Sequence, residues 1–138
     1  MAKVGARSSD VIYAGATLTI RAMRRRNGSL PAKEWADNLN NQGRGQLLAA
    51  ARIIENTLLR GRPPAGRAEQ VVGSAVGLWE LKITKPGSTA PHLRLLYVRK
   101  GQTLWAATGF TKQKNRLTKQ DISLAEGIAA EWVTKGST

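Results

Sequence analysis

Three short apolar runs late in the chain repeat at the period of a β-strand. Residues 77–83 (GLWELKI), 92–98 (HLRLLYV) and 103–110 (TLWAATGF) are rich in β-branched, aromatic and leucine side chains. A Gly/Pro loop separates the first two and a tight RKGQ turn the second pair; that punctuation predicts an antiparallel meander. Side chains alternate along a strand. Leu78, Glu80 and Lys82 therefore share one face of the first run, opposite Trp79, Leu81 and Ile83. In the second run Arg94 lies with His92 and Leu96, opposite Leu93, Leu95 and Tyr97. A half-polar face on strands otherwise fit for a core predicts a site laid across the sheet.

Upstream, residues 17–24 (TLTIRAMR) put Leu18, Ile20 and Ala22 on one face of a first strand, and Arg24-Arg25-Arg26-Asn27-Gly28 marks the turn that ends it. Pro31 suits a first helical turn and Glu34 complements its dipole, predicting a helix to about Asn40 with Trp35 and Leu39 on one stripe. Gly43 and Gly45 are expected to interrupt it. Leu47, Ala51, Ile54 and Leu58 then recur at helical spacing, and Gly61, Pro63 and Pro64 stop that second helix. Two short helices with one apolar stripe each predict a hairpin on one side of the sheet. Residues 65–76 read as a loop. Thr118, three residues before Asp121, is a capping-box start for a last helix carrying Ile122, Ala125, Ile128, Ala129, Trp132 and Val133, ended by Lys135-Gly136. The prediction is an α+β fold in the order β-α-α-β-β-β-α, one domain over 17–135. Residues 1–16 are expected to form a flexible N-terminal arm, with 11–13 docking on the body.

Charge changes the picture. The 138 residues carry 22 Lys and Arg against 9 acids, a net charge of +13. Between Glu80 and Asp121 there is no acidic residue, while Lys82, Lys85, Arg94, Arg99, Lys100, Lys112, Lys114, Arg116 and Lys119 all fall there. Such a field concentrates a polyanion. Nucleic acid is the first partner to consider and an anionic membrane the second. No apolar run approaches the ~20 residues that span a bilayer, and the N-terminus lacks the apolar core of a signal peptide. Cysteine is absent, in keeping with a cytoplasmic protein. With His92 as the only histidine, a zinc site is not expected, and the scattered carboxylates form no evident magnesium cluster. No cofactor is expected.

The motifs resemble those of the RelE-like toxins of bacterial toxin–antitoxin systems, in the phage-derived HigB-like branch. The matching pieces are NGSLPAKEWADNL (27–39), GLWELKI (77–83), HLRLLYV (92–98) and GFTKQKNRLTKQDISLAEGIA (109–129), against family patterns of the form G-x-S-P-x-x-E-F, LWELR, RILY and GFxKKT. The resemblance implies a small α+β toxin, with helices on one side of a twisted antiparallel sheet, that cuts mRNA at the ribosomal A site and is neutralised by a helix-turn-helix antitoxin. Carried over by position, the family's basic residues fall on Lys82, Arg94, Lys112 and a displaced Lys114. Lys82 replaces an arginine and its bidentate fork, Gln113 interrupts a lysine pair, and Thr108 stands where many relatives have a histidine.

RNA can be cut without a metal because its 2′-hydroxyl is an internal nucleophile. The protein then orients the phosphate, neutralises the growing charge and moves protons. Arg94, with its planar donor fork, is the first choice for the scissile phosphate; a salt bridge to Glu80 is the structural alternative. Lys82 and Lys112 complete the candidate catalytic set with Glu80, which orients the cations or acts as a base. Crowding of the cations would lower a lysine's pKa and make it a proton carrier. Lys114, Arg116, Arg99 and Lys100 are candidate phosphate contacts. Tyr97, Trp79 and Trp105 read as core, and His92 as a less favoured acid. Three function classes stand: a ribosome-dependent endoribonuclease toxin, a basic RNA- or DNA-binding module without catalysis, and a protein-interaction partner.

Overall fold

The computed structural model describes residues 9–59, 67–84, 91–113 and 116–134. The predicted Lys114, Lys85, the stop at 61–64, the helix end at 135–136 and the first eight residues of the arm lie outside them, as does the side chain of Leu58. Six strands and three helices follow in the order β1 (Val11–Ala14), β2 (Thr19–Ala22), α1 (Pro31–Asp37), α2 (Asn41–Leu59), β3 (Ala68–Gln70), β4 (Trp79–Lys82), β5 (His92–Lys100), β6 (Thr103–Lys112) and α3 (Lys119–Thr134). They form one sheet in the order β1-β2-β6-β5-β4-β3.

The meander is where its pattern predicts, as β4, β5 and β6 paired antiparallel, and Gly101 turns the β5–β6 hairpin with φ +61°, a conformation glycine adopts at little cost. Two short strands were not expected. β1 pairs with β2 inside the segment read as an arm, and β3 adds to β4 inside the segment read as a loop. Both are edge strands of three or four residues, too short for alternation to register. The sheet is mixed rather than antiparallel, because β2 joins β6 in parallel, Thr19 through Ala22 beside Thr103 through Ala106.

Each face of the sheet has its own core. One gathers Ile20, Leu81, Ile83, Leu93, Leu95, Tyr97, Leu104 and Ala106 beneath Ala32 and Ala36 of α1 and Leu47, Ala51 and Ile54 of α2. The other packs Met23, Leu78, Leu96 and Ala107 beneath Ala125, Ile128, Ala129 and Trp132 of α3. The helices therefore lie on both faces, not on one as the resemblance implies. Gly43 and Gly45 do not mark the break between the two helices: α1 ends at Asp37 and α2 starts at Asn41, so both glycines lie inside α2. Gly43 falls in its first turn, where Asn40 Oδ1 accepts the Gly43 N–H at 2.8 Å and the N-terminal amides lack helical partners in any case. The predicted box at α3 forms reciprocally: Thr118 N–H donates to Asp121 Oδ2 at 2.9 Å, and Asp121 N–H to Thr118 Oγ1 at 3.1 Å. Among the described residues no helix is long and apolar enough to cross a membrane.

Candidate nucleic-acid interface

A bulge decides which side chains meet. On β5 and β6, Tyr97 pairs with Ala106 but Leu96 pairs with Thr108, leaving Ala107 as an extra residue on β6. One added residue inverts the alternation beyond it. Thr108, Phe110 and Lys112 consequently stand opposite Leu96, Arg94 and His92, on the α3 face. In an unbroken ladder Lys112 would point to the α1–α2 face. Lys82, directly opposite Arg94 on β4, completes a staggered row of three cations from three adjacent strands at one end of one face, Lys112 standing two residues further along, opposite His92.

Each cation in that row meets a carboxylate. Lys82 Nζ lies 2.6 Å from Glu69 Oε1 on β3, Arg94 Nε lies 3.2 Å from Glu80 Oε2 on β4, and Lys112 Nζ lies 2.8 Å from Asp121 Oδ2 at the start of α3. The acid-free interval in the sequence is thus not acid-free in space, because the partners come from the flanking β3, β4 and α3. The predicted crowding of cations is replaced by alternation of sign.

Arg94, the expected phosphate grip, is buried. It is 2 % exposed, and its Nη1 donates to the Leu93 carbonyl at 2.9 Å. Burial pushes the Arg94 guanidinium below its ordinary value and the Glu80 carboxyl above its own, with their mutual attraction opposing both shifts. Desolvation outweighing attraction is the usual balance of a buried pair. Glu80 therefore orients Arg94, as the structural alternative had it. Lys82 and Lys112 remain partly exposed, and Arg116 is exposed. Burial pushes Asp121 up, but the Lys112 ammonium and the Thr118 amide and hydroxyl outweigh it and hold the carboxyl below the usual range.

An open groove of about 650 Å³ runs past the end of β6, lined by Lys112 and Arg116 with Thr111, Gln113, Leu117 and Thr118. Arg99 and Lys100 do not reach it. They sit at the opposite end of β5, six or so residues from Arg94 at about 3.4 Å per residue, or roughly 20 Å away. There Lys100 Nζ lies over the Trp132 ring at 5.0 Å and Arg99 Nε donates to Gly101 O at 2.8 Å. Tyr97 is core as expected, its hydroxyl pushed up to about 12 by burial. Trp79 packs on the α1–α2 core and Trp105 on the α3 core.

Sequence reasoning missed Glu69 and Asp121 as the lysines' partners. The capping box named Asp121, but not its second role. His92 stands directly opposite Lys112, which the alternation alone did not show. Among the described residues no cluster of His, Cys, Asp and Glu is arranged to hold a metal ion. No protein-family model matches the chain, and no curated protein matches it in sequence.

Proposed function

We propose that this chain is an endoribonuclease that cuts messenger RNA on the ribosome, the toxin of a pair whose antitoxin is a helix-turn-helix protein. The observation that carries the reading is the convergence of Lys82, Arg94 and Lys112 on one face at one end of the sheet, beside the groove of Lys112 and Arg116. The order of motifs along the chain agrees with it.

The roles divide by burial. Lys82 and Glu69 form a largely exposed pair, with side chains 28 % and 56 % exposed; such a pair is worth about 0–1 kcal/mol, so a phosphate displaces the carboxylate at little cost. Lys112 is next most accessible, and Arg116 extends the positive lining. These three hold the phosphates. Arg94, fixed by Glu80, contributes its field from beneath and is not displaced.

In the cleavage step the ribose 2′-oxygen attacks the adjacent phosphorus while the bond from phosphorus to the 5′-oxygen breaks, giving a 2′,3′-cyclic phosphate and a 5′-hydroxyl. The 2′-hydroxyl loses its proton and the departing 5′-oxygen gains one. Histidine is the side chain that most often carries such protons; His92, which pairs with Lys112 in the β5–β6 ladder, is our candidate carrier.

Induction of the chain in bacteria, with mapping of new mRNA 5′ ends, tests the proposal. Growth arrest with cuts at codon boundaries, lost in a folded Lys112→Ala/Arg116→Ala variant, is expected. The second reading, a binding module without chemistry, is favoured by the pairing of every cation in the row with a carboxylate; RNA retention without cutting supports it. Unchanged growth with weak, salt-independent binding points instead to a protein partner, because phosphate contacts weaken steeply with salt.

A further inference from the structure

A second cavity lies on the other side of the β6 end. It measures about 220 Å³ and sits between the α1–α2 turn and the first residues of β5. Four amide side chains line it, Asn38, Asn40, Gln42 and Gln46, over a floor that includes Leu93 and Thr111. We propose that this cavity receives a nucleobase of the bound RNA and reads its edge, so that it sets base preference beside the cut. The inference rests on the RNA-directed reading above.

The chemistry suits a base. Asparagine and glutamine amides offer a donor and an acceptor side by side, the pattern that pairs with base edges. Asn38 spends one N–H on the Glu34 carbonyl and keeps its own oxygen as an acceptor. Asn40 spends its oxygen on the Gly43 N–H and keeps its NH₂ as a donor. The α1–α2 turn thus fixes one acceptor and one donor, and Gln42 and Gln46 supply both kinds. The volume falls below the roughly 300–1,000 Å³ of sites for drug-sized ligands, which fits one flat ring system rather than a whole nucleotide.

The location suits it too. Thr111 lines both this cavity and the groove of Lys112 and Arg116. A strand with phosphates along those cations passes the end of β6 and brings its next base over Thr111. Thr111 is itself held, since its Oγ1 accepts the Trp35 Nε1–H at 3.1 Å. Phosphate contacts position the strand and base contacts discriminate, so the two cavities divide those tasks.

The test uses the full chain and a set of short single-stranded RNAs that vary one position at a time through all four bases. Binding is measured for the wild type and for Gln46→Leu and Gln42→Leu, which keep bulk and remove the amide, with melting temperature as the check on folding. Expected is discrimination of about tenfold at one position in the wild type, lost in a folded Gln46→Leu or Gln42→Leu variant. The salt dependence of binding should stay unchanged, because no phosphate contact is removed. Binding without preference at any position, or a preference that survives both substitutions, overturns the base pocket and leaves the RNA-directed reading standing. Failure of the wild type to bind any of the RNAs overturns the base pocket, and the cleavage assay on ribosomes then decides the RNA-directed reading separately.

Discussion

Arg94 on β5 and Glu80 on β4 form a diagonal cross-strand ion pair, Nε to Oε2 at 3.2 Å, with side chains only 3 % and 16 % exposed. It lies under the row that carries Lys82 and Lys112, so the most buried charge of the candidate site is also part of the α3-face core. Truncating either member leaves the other charge uncompensated. Arg94→Ala or Glu80→Ala should each destabilise the fold by about 3–5 kcal/mol, whereas a joint apolar replacement, Arg94→Met with Glu80→Leu, should cost far less. Denaturant unfolding of the three variants measures this; equal losses in all three would contradict the pair's isolation from solvent.

Gly109 is required by packing. A β-carbon there would overlap the Trp35 indole, which lies on the strand and donates to Thr111. Gly109→Ala should therefore cost about 1–3 kcal/mol, the usual range for overpacking. The loss should be largely relieved by the further change Trp35→Leu. Additive losses in the double variant would show that the two residues do not meet.

Acid should weaken the fold through particular carboxylates. The Arg25 guanidinium, followed by the Arg26 amide, holds Glu131 down from its ordinary 4.5 to about 2. Hydrogen bonds from the Thr17 amide, the Tyr13 hydroxyl and the Leu18 amide likewise hold Glu55 below its ordinary value. A folded-state value below the unfolded one gives a contribution that is whole above about pH 4.5 and drains as pH falls towards 2. Melting temperature should drop across that window, and Glu131→Gln should lower it at neutral pH while flattening the acid limb. Glu80 works with the opposite sign. Burial raises it, so its protonation relieves a cost and partly offsets the acid loss, and Glu80→Gln should make the acid limb steeper.

Much of this was legible in the chain. Strict alternation put Glu80 with Lys82 on one face of 77–83 and Arg94 with His92 on one face of 92–98, and the β4–β5 register joins the two; Thr118 with Asp121 marked the start of α3. What did not show has physical reasons. β1 and β3 are edge pieces of four and three residues, with little apolar period to detect. The parallel join of β2 to β6 is a tertiary choice that local pattern does not encode. The extra Ala107 is one small residue among several, yet it turns Lys112 to the side where Arg94 lies. The partners Glu69 and Asp121 belong to segments outside the acid-free interval, and only register and the capping turn bring them in. Arg94 was correctly placed by face but not by depth, because α3's cover over that face is a matter of packing.

Asp121 restrains Lys112 while capping α3. Asp121→Asn keeps an oxygen for the Thr118 amide and removes the charge that neutralises Lys112. It should tighten RNA binding several-fold at low salt and leave melting temperature within a few degrees, as read by titration against a single-stranded RNA. Weaker binding would mean that Asp121 serves the RNA directly.

The most direct test of the central claim is mRNA cleavage on programmed ribosomes, comparing a message with its copy bearing a 2′-deoxyribose at the mapped cut position. The wild-type chain should cut the first, leave the second intact at that position, and lose the cut in Lys112→Ala/Arg116→Ala with the fold preserved. Cutting of the deoxy-substituted message, cutting undiminished in the double variant, or no cutting of either message would contradict an RNA-cleaving site built on these cations.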